Sequence, residues 1–338
     1  MRIGIDAMGS DRAPDEEIKG ALAACAFLGE GDKIVLIGQE PLLRQRLAAA
    51  PSGWESKIEI RHTDQVIGMN ESPVEALRLK PQSSIALMAQ MHHDGEIDAC
   101  ISAGNTGACV AAASMRLGRL PGVHRPGILV VTPTYSGPVA LCDVGANVQP
   151  RPQHLHQYGV MASIYMNYIL GIKSPRVGLL SVGEEDAKGN ELVKGTRELM
   201  KADPSVNFIG NVEGRDLFRG ACDVMVCDGF TGNVVLKLME GMFESMIKGM
   251  LRDLAAALPL EVAMSLKDAA KACIGKFDYN EYGGAPLLGV DGICFICHGS
   301  SDYRGIMNAV RSAADFSKRH LNQRITELVA AGQGTVNG

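Results

Sequence analysis

An α/β fold, with a mostly parallel sheet covered by helices, is what this 338-residue chain predicts. Two observations carry the prediction. Short continuous apolar runs bounded by Gly or Pro, the pattern of strands buried on both faces, alternate with helical patterns along most of the length. Five of those runs, at 99–107, 141–147, 180–190, 227–233 and 297–301, also break into a loop of Gly with Asn, Ser, Thr or Lys and restart as a helix. In a parallel sheet such turns lie at the carboxyl edge of the strands, where these folds bind ligands. All five are therefore expected along one edge, where loop N–H groups and helix N-termini seat an anion.

Strands are expected in chain order at 2–6, 33–37, 57–61, 98–102, 127–132, 139–143, 176–182, 207–210, 223–227 and 292–297. Between the first two, Pro14 followed by Asp15, Glu16 and Glu17 opens a helix with proline and acids in its first turn, which suits the positive end of its dipole. One stretch departs from the alternation. From 236 to 275 there is no strand signal, and Met239, Met242, Phe243, Met246, Ile247, Met250, Leu251 and Leu254 recur at three- and four-residue spacing until Pro259 interrupts. This reads as a helical hairpin excursion with an apolar tip, its stripe packed on a core or a partner. At 46% hydrophobic and 21% charged, the chain can bury a large core, and 1–338 is read as a single catalytic domain.

Composition narrows the function. A net charge of -5 and a pI near 5.9 argue against general nucleic-acid binding. Nine scattered cysteines, an odd count inside apolar runs, read as reduced buried thiols. The start enters a strand without a signal-peptide pattern, and no apolar run is long enough to span a bilayer, so a cytoplasmic location is expected. G-x-G-x-x-G, G-x-S-x-G and H-E-x-x-H are missing, and Gly275-Lys276 is followed by Phe277, which cannot close a P-loop. Cys294-Phe295-Ile296-Cys297-His298 spells a haem-attachment pattern. However, residues three apart on a strand point to opposite faces, and no second pair completes a zinc site. His92-His93 and His154-x-His156 are read as surface or capping residues, with no metal assigned.

The segment Asp6-Ala7-Met8-Gly9-Ser10-Asp11-x-Ala13-Pro14 resembles the amino-terminal signature of the bacterial phosphate acyltransferases of phospholipid synthesis, the PlsX family, except that Ser10 stands where the family usually has glycine. The resemblance continues in Glu75-Ala76-Leu77-Arg78-x-Lys80, Ser102-Ala103-Gly104-Asn105-Thr106-Gly107, Asp143-Val144-Gly145-Ala146-Asn147, Gly183-Glu184-Glu185-x-x-Lys188-Gly189-Asn190, Asp228-Gly229-Phe230-Thr231-Gly232-Asn233, Tyr282-Gly283-Gly284-Ala285 and His298-Gly299-Ser300-Ser301. It implies conversion of acyl-[acyl-carrier-protein] and inorganic phosphate to acyl phosphate and free carrier protein, without a cofactor. It also implies a three-layer α/β/α sandwich like those of phosphotransacetylases and isopropylmalate dehydrogenases, a homodimer, and peripheral contact with the inner face of the cytoplasmic membrane, where a glycerol-phosphate acyltransferase takes the product. The alternatives are a coenzyme A-dependent phosphotransacylase, a decarboxylating dehydrogenase of the same fold, or a membrane-attached scaffold without turnover.

Phosphate dianion is already nucleophilic near neutral pH, so this chemistry needs positioning and charge stabilisation more than a strong base. Ser102, Gly104, Asn105 and Thr106, helped by His298 and Ser300, are the expected phosphate seat. Lys188 and Asn233 are expected to stabilise the oxyanion, with Asp6, Asp143, Asn147, Glu184, Asn190 and Asp228 orienting them. Arg116, Arg119, His124 and Arg125 form a basic cluster for the acidic carrier protein. Leu258 and Leu260, at the hairpin tip, are the expected membrane contact.

Overall fold

The computed structural model describes residues 1–259, 262 and 279–336, except the side chains of 244, 248, 255, 279, 280 and 331–336. The strands are β1 (Arg2–Asp6), β2 (Lys33–Gly38), β3 (Ile58–His62), β4 (Ala99–Ser102), β5 (Gly127–Thr132), β6 (Val139–Cys142), β7 (Val177–Leu180), β8 (Phe208–Val212), β9 (Val224–Val226), β10 (Ala285–Leu288) and β11 (Cys294–Ile296). The helices are α1 (Asp15–Ala24), α2 (Glu40–Ala48), α3 (Pro73–Leu79), α4 (Ser84–His93), α5 (Thr106–Arg116), α6 (Pro152–Tyr168), α7 (Glu191–Ala202), α8 (Gly229–Ala257), α9 (Tyr303–Lys318) and α10 (Leu321–Val336). The expected strands are all present within a few residues. β10 is the addition.

The strands form one 11-stranded sheet in the order β3-β2-β1-β4-β11-β10-β5-β6-β9-β7-β8. Successive side chains of a strand leave opposite faces, and here they enter two cores: Ile34 and Leu36 of β2 join one, Val35 and Ile37 the other. Each face is covered by helices, so the molecule is the three-layer sandwich. Each fully buried Ile or Leu contributes on the order of 1.5–3 kcal/mol of apolar burial.

The sheet is mostly parallel, but its direction changes, and this corrects the single-edge expectation. β3, β2, β1, β4 and β11 run together. The pairs β11–β10, β10–β5 and β5–β6 are antiparallel, and β6, β9, β7 and β8 are again parallel to one another. Three reversals leave the second group opposed to the first. The turns after β4 and β11 and those after β6, β9 and β7 thus leave the sheet in opposite directions.

α8 is the first arm of the expected hairpin; the second arm, including Leu260, lies outside the described residues. Along α8, Phe230, Val234, Leu238, Met242, Met246, Met250 and Leu254 recur every fourth residue and are all exposed. Only its beginning, Val235, Leu236 and Met239, packs on the core among the described residues. The stripe from Met242 to Met250 therefore does not pack on the core formed by this chain's described residues. Among the described residues no helix is long and apolar enough to cross a membrane.

Candidate active site

The adjacent parallel strands β1, β4 and β11 deliver three turns to one place. Ser102 and Asp6 lie side by side in the β1–β4 register, and Ser102 Oγ donates to Asp6 Oδ2 at 2.8 Å while accepting the Gly104 N–H at 3.0 Å. Burial pushes the Asp6 pKa up, against hydrogen bonds from Ser84, Ser102 and the Met8 amide. A Cβ at Gly9 would lie 2.7 Å from the Gly104 nitrogen, so the first and second turns touch backbone to backbone. The third is tied in by Asp11 N–H to Gly299 O at 2.9 Å and Cys297 N–H to Ser102 O at 2.8 Å.

Asn105 caps α5. Its Oδ1 accepts the Ala108 N–H at 3.0 Å, and its Nδ2 donates to the carbonyls of Gly68, Met69 and Glu71. The side chains of Ser102 and Asn105 are therefore committed to holding the turn. Thr106, His298 and Ser300 are exposed at the junction, together with the opening turn of α5.

α8 connects this junction to the opposed group. Lys237 Nζ donates to His298 Nε2 at 2.6 Å and pairs with Glu240 at 2.8 Å. Ser300 Oγ stands 2.7 Å from Nδ1 of the same ring, which also receives the Ser300 N–H at 3.3 Å. Asn233 is exposed one turn before Lys237, on the same side of the helix. Arg12 reaches the carbonyls of Ser300 and Ser301 at 3.4 Å. Sequence reasoning singled out neither Lys237 nor Arg12, although Lys237 lies four residues after Asn233 and Arg12 falls at the unassigned position of the amino-terminal signature.

In the opposed group, Asp143 organises the turn after β6. Its Oδ1 accepts the N–H groups of Ile128, Gly145 and Ala146 at 2.9–3.1 Å, and its Oδ2 that of Asn147 at 2.7 Å. Burial nevertheless pushes its pKa up. Asn147 Nδ2 donates to Pro126 O and Tyr158 Oη, and its carbonyl accepts the Gly229 N–H. Asp228 caps α8 through the amides of Phe230 and Thr231, and Asn190 caps α7 through Val193. Both α-helix starts are thus occupied by their own caps. Lys188 and Glu184 are exposed in the turn after β7. Beside that turn Ser181 Oγ and Asn211 Oδ1 are buried without a hydrogen-bond partner.

Glu17, behind the first turn, is buried. Its Oε1 accepts the Ser10 N–H at 3.0 Å while Oε2 has no partner, and burial, with Asp6 nearby, pushes its pKa from 4.5 up to about 7. Between those values the folded chain holds a proton that the unfolded chain has released, so stability falls as pH rises through the window and stays lower above it. Glu17→Gln is expected to unfold at higher urea than the parent near pH 8, by roughly 2–3 kcal/mol, the two converging toward pH 4.5. An equal gain at both pH values contradicts this account.

The described cysteines are all free, and burial pushes the Cys297 thiol up to about 12. Among the described residues no group of His, Cys, Asp and Glu could hold a metal ion. His92 Nε2 accepts the Ile293 N–H, and His156 pairs with Asp203 at 2.7 Å, which are structural duties.

Residues 1–324 match the model of the family described as fatty acid synthesis protein. The phosphate acyltransferase of Nitratidesulfovibrio vulgaris is 44% identical over 333 residues, covering 98% of this chain and 95% of its own. That of Heliobacterium modesticaldum is 47% identical over 331 residues, covering 97% and 98%. Among solved structures, a phosphotransacetylase from Streptococcus pyogenes superposes with a TM-score of 0.61 at 16% identity, covering 94% of each chain. A branched-chain phosphotransacylase from Enterococcus faecalis gives 0.56 at 12%, covering 93% of this chain and 98% of its own. These two show the fold alone. On the family match and the two relatives, the chain belongs to the fatty acid synthesis protein family, the PlsX phosphate acyltransferases, and is an acyltransferase enzyme.

Proposed function

We propose that this enzyme moves the acyl group of an acyl-carrier-protein thioester onto inorganic phosphate. A phosphate oxygen attacks the carbonyl carbon, the tetrahedral intermediate collapses with cleavage of the C–S bond, and the carrier leaves as a thiolate that takes a proton from solvent. The products are acyl phosphate and free carrier protein, which feed phospholipid synthesis. The observation that carries the reading is the junction of Thr106, His298, Ser300 and the α5 N-terminus under the Lys237 cation, a seat for a dianion in a chain of the phosphate acyltransferase family. Ser102, Gly104 and Asn105 shape that seat from behind. Lys188 and Asn233 stabilise the carbonyl oxyanion. Asp6, Asp143, Asn147, Glu184, Asn190 and Asp228 orient the turns, and the steps written here call for no metal or organic cofactor.

The test is incubation of the purified chain with an acyl-carrier protein and phosphate, with hydroxylamine trapping of acyl phosphate set against thiol release. One hydroxamate per thiol, dependent on phosphate, is expected. Thiol release without hydroxamate contradicts the reading. Turnover of the coenzyme A thioester in place of the carrier protein favours the phosphotransacylase alternative.

An enzyme delivering a reactive acyl phosphate to a membrane acceptor gains from releasing it at the bilayer. The exposed apolar ridge of α8 supports a homodimer, and its end at Leu258, with Leu260 beyond, supports peripheral membrane contact. Replacing Leu258 and Leu260 with Glu is expected to stop flotation with anionic liposomes while soluble acyl transfer continues. Flotation that persists rules out the tip as anchor, and loss of the dimer assigns these residues to the subunit interface.

A further inference from the structure

A groove of about 810 Å³ opens beside the turn after β6. Its walls come from three separate stretches of chain, the loop before β5, the turn after β6 and the first turn of α6, and carry Arg119, Arg125, Arg151, His124 and His154 with no carboxylate in the lining. The three arginines form no ion pair among the described residues, unlike Arg176, which is fixed on Asp223 at 2.9 Å. His154, pressed by burial and then by His124, Arg125 and Arg151, has its pKa pushed down, as expected where positive charge is in surplus.

The walls are braced from within the chain. Gln157 accepts the His124 N–H at 2.9 Å and donates to Gly122 O at 2.8 Å, and His154 Nδ1 accepts the Arg151 N–H at 3.0 Å. Asn147, which lines the groove, is held on Pro126 O and on Asp143, so the groove borders the turn that packs against the start of α8. In a chain of net charge -5, gathering cations without counter-charges opposes folding locally, and an anionic partner relieves it.

We propose that this groove is the docking site for the acidic surface of the carrier protein that presents the thioester, an inference that rests on the reaction proposed above. The guanidiniums come from two stretches of chain, Arg119 and Arg125 from the loop before β5 and Arg151 from the start of α6, and so match several separated carboxylates better than a single phosphate. The surface is concave, which suits a protruding helix of a protein and not a flat bilayer.

The experiment compares the parent with Arg125→Glu/Arg151→Glu, both positions being exposed, and with Arg125→Lys/Arg151→Lys as the charge-conserving control. For the Glu pair, KM for acyl-carrier protein is expected to rise by about tenfold or more and to lose its salt dependence, while KM for phosphate and for an acyl-pantetheine thioester without the protein changes by less than about twofold. The Lys pair keeps the parent's KM. Anisotropy of a labelled carrier protein gives the same comparison without turnover, so a parent that binds the carrier but produces no acyl phosphate overturns the reaction and leaves the docking site standing. Unchanged carrier KM and binding overturn the proposal. So does an equal rise for phosphate or acyl-pantetheine, which makes the groove a small-anion site, and so does loss of liposome flotation with carrier binding intact, which makes it a lipid-facing surface.

Discussion

Replacing Lys188 with Ala is expected to lower kcat by about a hundredfold or more, the scale seen when one preorganised electrostatic stabiliser is removed. Lys188 is exposed, its amide donates to Glu185 O at 2.9 Å, and its side chain forms no ion pair among the described residues. An exposed cation that no ion pair ties to the fold contributes little to stability, so the variant should unfold at the parent's urea midpoint. The steady-state rate with saturating thioester and phosphate measures the effect. Near-parent turnover in the folded variant removes Lys188 from the transition state.

The second large effect concerns stability. Asp143 gathers four backbone N–H groups, from Ile128, Gly145, Ala146 and Asn147, and Gly232 lies so close that a Cβ there would be 2.0 Å from the Asp143 carbonyl oxygen. Asp143→Ala strands those donors in a buried turn, and each unsatisfied group costs about 1–3 kcal/mol, less where water enters. A loss of roughly 3–5 kcal/mol in urea unfolding is expected. Asp143→Asn, which keeps an acceptor, should lose clearly less. If Ala and Asn cost the same, the carboxylate's cradle is not what holds the turn.

Much of this architecture is legible in the residues. β1 and β5 match their expected spans, because a continuous apolar run between charged or glycine punctuation leaves little choice of register. β10 was not, because Ala285-Pro286-Leu287-Leu288 is short and holds a proline. In the sheet, its first two residues pair with β11 and its last two with β5, contacts too short to register as a periodic run. The reversal of strand direction depends on β10 and β5, and periodicity carries no sign of direction. The caps Asn105, Asn190 and Asp228 were visible as polar residues opening helices, but whether a side chain faces a ligand or its own backbone is decided in three dimensions. Lys237 stayed hidden because its partner His298 lies 61 residues away.

The proposed anion seat lies where the turns after β1, β4 and β11 meet beneath Lys237. The most direct measurement is the KM for phosphate in His298→Ala. A hydrogen bond to a charged group is worth about 1.5–3 kcal/mol, so the phosphate KM should rise by roughly tenfold or more while the thioester KM stays at the parent value. A phosphate KM that does not move, with the change falling on the thioester instead, would contradict this placement of the seat.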